Sequence, residues 1–537
     1  MSTPSGPRGA VSASGRRWAV ASPHPGASEA AARAFASGGT AVDAALHAAT
    51  TLAVVCPHMC GVGGDLFAVV RSPDGKVVAI GSAGRAPSGA DASALRAAHG
   101  ATMPESGPGT VTVPGAVRGW QALHRQGASL PWADAFDAAI ASAADGSRVS
   151  RDLAGALARR TDALRSDPGF AGSPFLTGGV PREGDLLLQP ALAATLRAIA
   201  SEGADALYEG PLAGRLAEGL RAARVPIAEA DLAAHTADLA PPLRGRYRDL
   251  EMLVSPPPSQ GFVLLEALAA IERLGVDPDP VGDDVATIAA VLAAASADRD
   301  QHLADPDAMT LPVSALLEDG HIAVLCDSVR AGPAAHVSAR RRGGVSGDGD
   351  TIALVTADVD GWGVSLIQSL YDSFGSGIME PSTGVILHDR GACFTLEPGH
   401  PNELAAGQRP AHTLMPVAVQ QGGRLAGLAG TMGGHAQPQI DLMTLVRSFD
   451  LGMDPGDAVS APRWLVGGME PVVDDAWVLC ESDLPRSAKD RLAAAGFRVE
   501  STDPNDRTVG HAMLLRLDGD AVRAASDPRS DAGALAS

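Results

Sequence analysis

The sequence predicts an α+β fold, and three observations carry the prediction. Residues 28–55 are Ala-rich with small residues at helical spacing, interrupted at Gly38-Gly39. From about residue 115 to 300 the pattern is mostly helical. After residue 350 the period changes abruptly from that of helices to that of strands.

Taken in order, residues 1–20 are expected to form a disordered arm, the first 17 being rich in Ser, Gly, Pro and Arg. Two buried helices follow within 28–55, with Asp43 inside the second. The Gly-rich loop Cys56 to Asp65 leads into an apolar strand, Leu66 to Val70. The Ser72-Pro73-Asp74-Gly75 turn then leads to a second strand, Val77 to Ile80. Helices are predicted over 116–126, 132–143, 192–201, 212–222 and 285–297, with Pro256-Pro257-Pro258-Ser259 as a rigid interruption. Residues 331–350 carry Arg, then Gly, Ser and Asp, with no apolar period. The segment 335–350 reads as a flexible linker. Directly after it, residues 351–358 alternate and are β-branched, Asp358 to Gly361 makes a turn, and residues 364–369 form a second strand, giving a β-hairpin. Further strands are expected over 384–387, 414–419 and 425–429, and helices over 440–449 and 485–495.

Composition narrows the function. The chain has 537 residues, a formal charge of −20, 45% hydrophobic residues and 4% aromatics, which excludes a disordered chain and argues against nucleic acid as a partner. Only Lys76 and Lys489 are lysines, the other 40 basic residues being arginine, so Schiff-base lysine chemistry is not expected. The five cysteines imply no disulfide framework. No apolar run fits a signal peptide or a membrane span, so a cytoplasmic protein without a membrane partner is expected.

Nine segments in order carry a family resemblance: GGTAVDAAL (38–46), CGVGGDLF (60–67), VPGAVRGW (113–120), PPPSQG (256–261), ADRDQHLADP (297–306), FGSGI (374–378), GTMGGHAQPQ (430–439), APRW (461–464) and SDPRSD (526–531). Through them the chain resembles the gamma-glutamyltransferase family of N-terminal-nucleophile hydrolases. The resemblance implies a four-layer αββα sandwich, two stacked and mainly antiparallel sheets between helical layers. It also implies self-cleavage at Asp350–Thr351 into a large piece, 1–350, made of the arm 1–20 and a folded part 21–350, and a small piece, 351–537, whose strands interleave. Thr351 would then be the nucleophile. A freed Thr has its own α-amine, of ordinary pKa about 7.7–8.0, beside its hydroxyl, so one residue supplies nucleophile and base. Ser369, 18 residues on, would orient that hydroxyl, and the N–H groups of Gly433 and Gly434 would form the oxyanion hole.

The chain departs from the family where the α-amino acid head group is held. The Arg position falls near Ala83, with Arg85 two residues later. The ammonium-binding Asp position falls on Cys393, which offers no charge-assisted bond. The hydroxyl pair falls on His412-Thr413, and the hairpin Asn on Tyr371. The pattern resembles instead a branch containing an oxamate amidohydrolase and cephalosporin-acylase-like proteins. It implies a small-molecule amide with an acidic acyl group, with Arg85, His412, Thr413 and His435 as anion-binding candidates and Tyr371 and Cys393 lining the pocket. No cofactor is expected, and Cys56, His58 and Cys60 lack a second ligand pair at zinc-site spacing, so no metal is expected either. Two alternatives stay open: an acyl transpeptidase with an amine acceptor, and an unprocessed binding protein, since the family's next Thr and His are replaced by Ile352 and Ala353. A homodimer of two-piece protomers is an admissible assembly.

Overall fold

The computed structural model describes residues 9–331, 349–469 and 477–537. Two seven-stranded sheets form its centre. Across the first sheet the order is Gly533–Ala536, Trp18–Ser22, Gly349–Asp358, Gly363–Asp372, Asp65–Arg71, Val77–Ser82, Asp238–Ala240. Across the second it is Val11–Gly15, Ala521–Ser526, His511–Asp518, Arg424–Met432, Val417–Gln421, Leu250–Val254, Leu243–Tyr247. Every neighbouring pair in both sheets is antiparallel.

Period-two alternation decides which side chain enters which layer. In Gly349–Asp358, Ala353, Val355 and Ala357 face the second sheet, while Ile352 and Leu354 face helices. Small side chains, among them Ala19, Ala21, Ala418 and Ala524, let the two sheets approach closely. Helices Pro25–Ala36, Ala41–Val55 and Ala116–Gly127 cover the outer face of the first sheet. Helices Gly261–Leu274, Val285–His302, Asp319–Ala331 and Gln437–Phe449 cover the second. The four-layer αββα arrangement expected from the sequence is therefore present, and no described helix is long and apolar enough to cross a membrane.

The expected helices before residue 300 form close to their expected bounds, and the hairpin at 351–369 forms as read. Two expectations need correction. The arm expected over residues 1–20 is not disordered from Val11 onward: Val11–Gly15 pairs with Ala521–Ser526, and Trp18–Ser22 lies inside the first sheet. Ala19, Val20 and Ala21 are fully buried, and that burial outweighs a Ser/Gly/Arg composition that by itself holds no structure. The linker expected over 335–350 ends earlier than predicted. Gly349 and Asp350 already belong to the strand, with Asp350 buried, while residues 335–348 lie outside the described residues. The strands Leu243–Tyr247 and Leu250–Val254 were not expected inside the helical stretch.

One buried ionic network ties the C-terminal segment to the second sheet. Asp527 pairs with Arg463 and with Arg529 Nη1 at 3.0 Å, and it accepts Ala512 N–H at 2.9 Å. Arg529 also grips Glu481 through two bonds of 2.9 and 2.5 Å. Removing one partner from such a network leaves uncompensated buried charge, a cost of about 3–5 kcal/mol. Asp527→Ala should lower the unfolding free energy by about that amount in urea titration, because two buried guanidiniums lose their shared acceptor.

Candidate active site

The site opens at one end of the gap between the two sheets. Thr351 and Ser369 are cross-strand partners in the first sheet, and Ser369 is in turn the partner of Asp65. All three point to the face that carries Ala353, Ile367 and Phe67, toward the second sheet. Thr351 Oγ1 lies 2.9 Å from Ser369 Oγ. Ser369 Oγ donates to the carbonyl of Asp350 at 3.1 Å and accepts the Tyr371 N–H at 2.7 Å. With its proton on the Asp350 carbonyl, Ser369 Oγ is left to accept from the Thr351 hydroxyl. One serine therefore touches both the predicted nucleophile and the predicted scissile carbonyl.

The backbone here is irregular. The register shifts between Asp350 and Thr351, a bulge of the kind that re-aims side chains beside functional sites. Tyr371 has φ +80° and Phe374 +62°, left-handed values that L-residues seldom adopt. The Asp350 carboxylate is buried and paired with Arg507, which fixes the residue just before Thr351.

From the second sheet, strand Arg424–Met432 delivers Gly433 and Gly434 into a short 3₁₀ turn, Gly434–Ala436, which packs against Gly349–Asp358. Gly434 has φ +53°, and a Cβ on Gly433 would come within 2.4 Å of Ile440, so both positions favour glycine. The Gly433 carbonyl accepts Ala436 N–H at 2.8 Å. Peptide planarity then sends the Gly434 N–H the opposite way, away from helix Gln437–Phe449. Two residues hold the next carbonyls: Gln260 Nε2 donates to Gly434 O at 2.9 Å, and Arg299 Nη1 to His435 O at 2.9 Å. Gln260 also donates to Thr413 O at 2.8 Å, and Arg299 Nη1 reaches Gln260 Oε1 at 3.2 Å. The PPPSQG and ADRDQH segments thus support the turn from behind.

Beside the hairpin lies a residue that the sequence reading did not single out. Arg390 is fully buried; its Nη1 donates to Thr413 Oγ1 at 3.0 Å and lies 3.5 Å from Cys393 Sγ. Its guanidinium stacks 4.3 Å above the Tyr371 ring. Nε stands 3.8 Å from Asp65 Oδ2, and neither Nε nor Nη2 makes a hydrogen bond among the described residues. Three predicted pocket residues, Tyr371, Cys393 and Thr413, therefore meet at one guanidinium. Its segment, Leu387 to Phe394, also carries His388 and Asp389, so the local sequence holds no signal that this arginine is buried.

His412 joins through Asp65. Its Nε2 lies 3.1 Å from Asp65 Oδ2, and its Nδ1 accepts Leu414 N–H at 3.3 Å, which makes it a neutral Nε2–H imidazole. His388 brings Nδ1 to 3.2 Å from the same oxygen, an ion-pair contact, and its Nε2 donates to Thr112 O at 2.8 Å. Burial lowers the His412 pKa to about 3, with Arg390 adding to the shift. Burial also works against the charged form of His388, but the Asp65 carboxylate overcomes it and the pKa rises. Asp65 is held well below the usual carboxylate range by the two imidazoles, against the cost of its burial.

Arg85 turns elsewhere. It pairs with Asp305 at 3.3 Å and donates to Gly407 O at 2.7 Å. It lines a cavity of about 730 Å³ whose described walls include none of Thr351, Ser369 and Thr413. His435, half-buried, shares a small cleft with His412, Thr413 and Gln260.

The family model for gamma-glutamyltranspeptidase matches residues 27–537. The chain belongs to the gamma-glutamyltranspeptidase family. Within that family it is 37% identical to the oxamate amidohydrolase proenzyme of Klebsiella pneumoniae, over 95% of this chain and 97% of that protein. It is 33% identical to the acylase ACY 1 proenzyme of Pseudomonas sp. strain V22, over 91% and 88%. The crystal structure of cephalosporin acylase from Bacillus halodurans superposes with a TM-score of 0.90 at 28% identity, covering 100% of this chain and 98% of that one. The protein is accordingly an enzyme of the N-terminal-nucleophile type that acts on amide bonds, and its acylase-like relatives are made as proenzymes.

Acid sensitivity follows from the buried histidines. His412 is neutral when folded and has an ordinary pKa of about 6.5 when unfolded. Its contribution is present above pH 6.5 and is lost as pH falls toward its folded value of about 3. His388 has the opposite sign: its contribution is present below about pH 6.5 and is lost as pH rises through its raised folded value. Stability measured by urea titration should therefore fall from pH 6.5 toward 4, and His412→Gln should flatten that slope. Equal slopes in the two proteins would contradict the neutral assignment.

Proposed function

We propose that the chain is a self-processing amidohydrolase that cleaves an amide of a small acidic acyl group through an acyl-enzyme on Thr351. The observation that carries this reading is the Thr351–Ser369 hydroxyl pair with the under-satisfied Arg390 guanidinium beside it.

In the precursor, Ser369 donates to the Asp350 carbonyl while accepting from Thr351. The Thr351 hydroxyl attacks that carbonyl, the acyl group moves from nitrogen to oxygen, and water hydrolyses the ester to free the Thr351 α-amine and the Asp350 carboxylate. In the processed enzyme the amine takes the hydroxyl proton as Thr351 Oγ1 attacks the substrate amide. The oxyanion is received by the N–H groups of Gly433 and Gly434. The leaving amine takes the proton, and water then releases the acid. Ser369 serves both reactions, so Ser369→Ala should slow cutting and turnover together.

Arg390 and Thr413 are proposed to hold the substrate's own carboxylate. A buried guanidinium with unused N–H donors suits a planar, bidentate anion. Tyr371 and Cys393 close the pocket without a carboxylate that could hold an ammonium, which disfavours gamma-glutamyl compounds. The similarity to an oxamate amidohydrolase supports an acyl group of this kind. Hydrolysis of acidic and neutral amide pairs tests the reading. Acidic amides should be preferred, and Arg390→Met should cost about tenfold to a hundredfold in kcat/KM for them, the worth of a hydrogen bond to a charged group. It should leave neutral amides little changed. An equal loss on both would remove Arg390 from substrate recognition.

A further inference from the structure

The geometry points to a divalent-cation site separate from Thr351, formed by Glu266, Asp298 and His321. Each sits on a different helix of the layer covering the second sheet: Gly261–Leu274, Val285–His302 and Asp319–Ala331. One ligand atom from each lies within 4.8 Å of the other two. His321 Nε2 is 2.7 Å from Asp298 Oδ2 and 3.7 Å from Glu266 Oε1.

The observation beyond mere clustering is Glu266. Its side chain is 0% exposed, one oxygen faces His321, and neither oxygen makes a hydrogen bond among the described residues. A buried carboxylate without a donor is costly, and a second carboxylate beside it adds to the cost. A cation between Glu266, Asp298 and the imidazole removes both costs at once. The side chains of Asp298 and His321 are 21% and 25% exposed, so the cluster opens to water on one side, giving an ion an entry route and room for a water ligand. His302 stands one turn beyond Asp298 on the same helix, and its buried Nδ1 has no hydrogen bond among the described residues.

Imidazole with carboxylates suits zinc and its neighbours better than magnesium or calcium. Bonds of about 2.0–2.2 Å place tetrahedral ligand atoms about 3.3 Å apart, so small side-chain movements convert the observed spacing into a coordinated one. The three ligands are spread over residues 266–321 at no recognisable ligand spacing, so only the fold brings them together.

The site has a structural consequence. Gln260 immediately precedes the helix bearing Glu266, and Arg299 follows Asp298. These are the two residues that hold the Gly434 and His435 carbonyls. An ion joining the helices would brace the turn from behind.

The test uses untagged full-length protein stripped with a chelator and titrated calorimetrically with zinc chloride. Wild type should bind one ion per chain and gain thermal stability on binding. Glu266→Gln and His321→Ala should each keep a cooperative metal-free transition and lose both effects. Thr351→Ala should bind as wild type does. Absence of stoichiometric zinc in wild type, undiminished binding in both variants, or equal binding of magnesium or calcium would each overturn the assignment. If one variant fails to fold, the other decides.

Discussion

The site depends on the register of one hairpin. Thr351 faces Ser369 because Gly349–Asp358 pairs with Gly363–Asp372 in one alignment, and a slip by one residue would turn the hydroxyl to the helical side. Several features hold the alignment. Ala353, Val355 and Ile367 are packed between the sheets, whereas Ile352 and Leu354 fit the helical layer, so the two faces are not interchangeable. At the open end, the Asp350–Arg507 pair and the bulge fix where the regular ladder stops. The replacement of a Thr and a His by Ile352 and Ala353 is accommodated by the same logic, since both side chains are fully buried in separate apolar layers.

Around that hairpin the protein places charge where water cannot reach. Asp65 organises His388, His412 and Arg390, each from a segment after residue 380, against the strand Asp65–Arg71. Its two imidazoles are driven in opposite directions: burial, with Arg390 adding to it, pushes His412 toward the neutral form, while the Asp65 carboxylate outweighs burial and pushes His388 toward the cation. Arg390 takes the remaining role, with Tyr371 beneath it and Thr413 in front. The segments before and after residue 351 are thereby joined by buried polar contacts as well as by shared sheets.

Much of this was legible in the residues. The change from helical to strand period at 351 located the hairpin, and the family resemblance placed Ser369 opposite Thr351, where the two hydroxyls lie 2.9 Å apart. Paired glycines located the turn at 433–434. What composition hid was tertiary. Val11–Gly15 and Leu243–Tyr247 read as polar because edge strands keep one side in water, so alternation was diluted by Ser and Arg. Arg85 was chosen for its proximity in sequence to the family's Arg position, but Asp305 and the Gly407 carbonyl draw it away. Arg390 was overlooked because nothing local distinguishes a buried arginine from a solvated one. Only the meeting of three separate segments, at Tyr371, Cys393 and Thr413, does so.

The most direct test of the account is the intact mass of freshly purified protein beside Thr351→Ala. The account predicts that the 54.3 kDa chain is replaced by two co-purifying pieces, residues 1–350 and 351–537, the second beginning at Thr351, while the variant stays whole. A wild-type chain that remains uncut while hydrolysing amides, or a cut at any other bond, would contradict it.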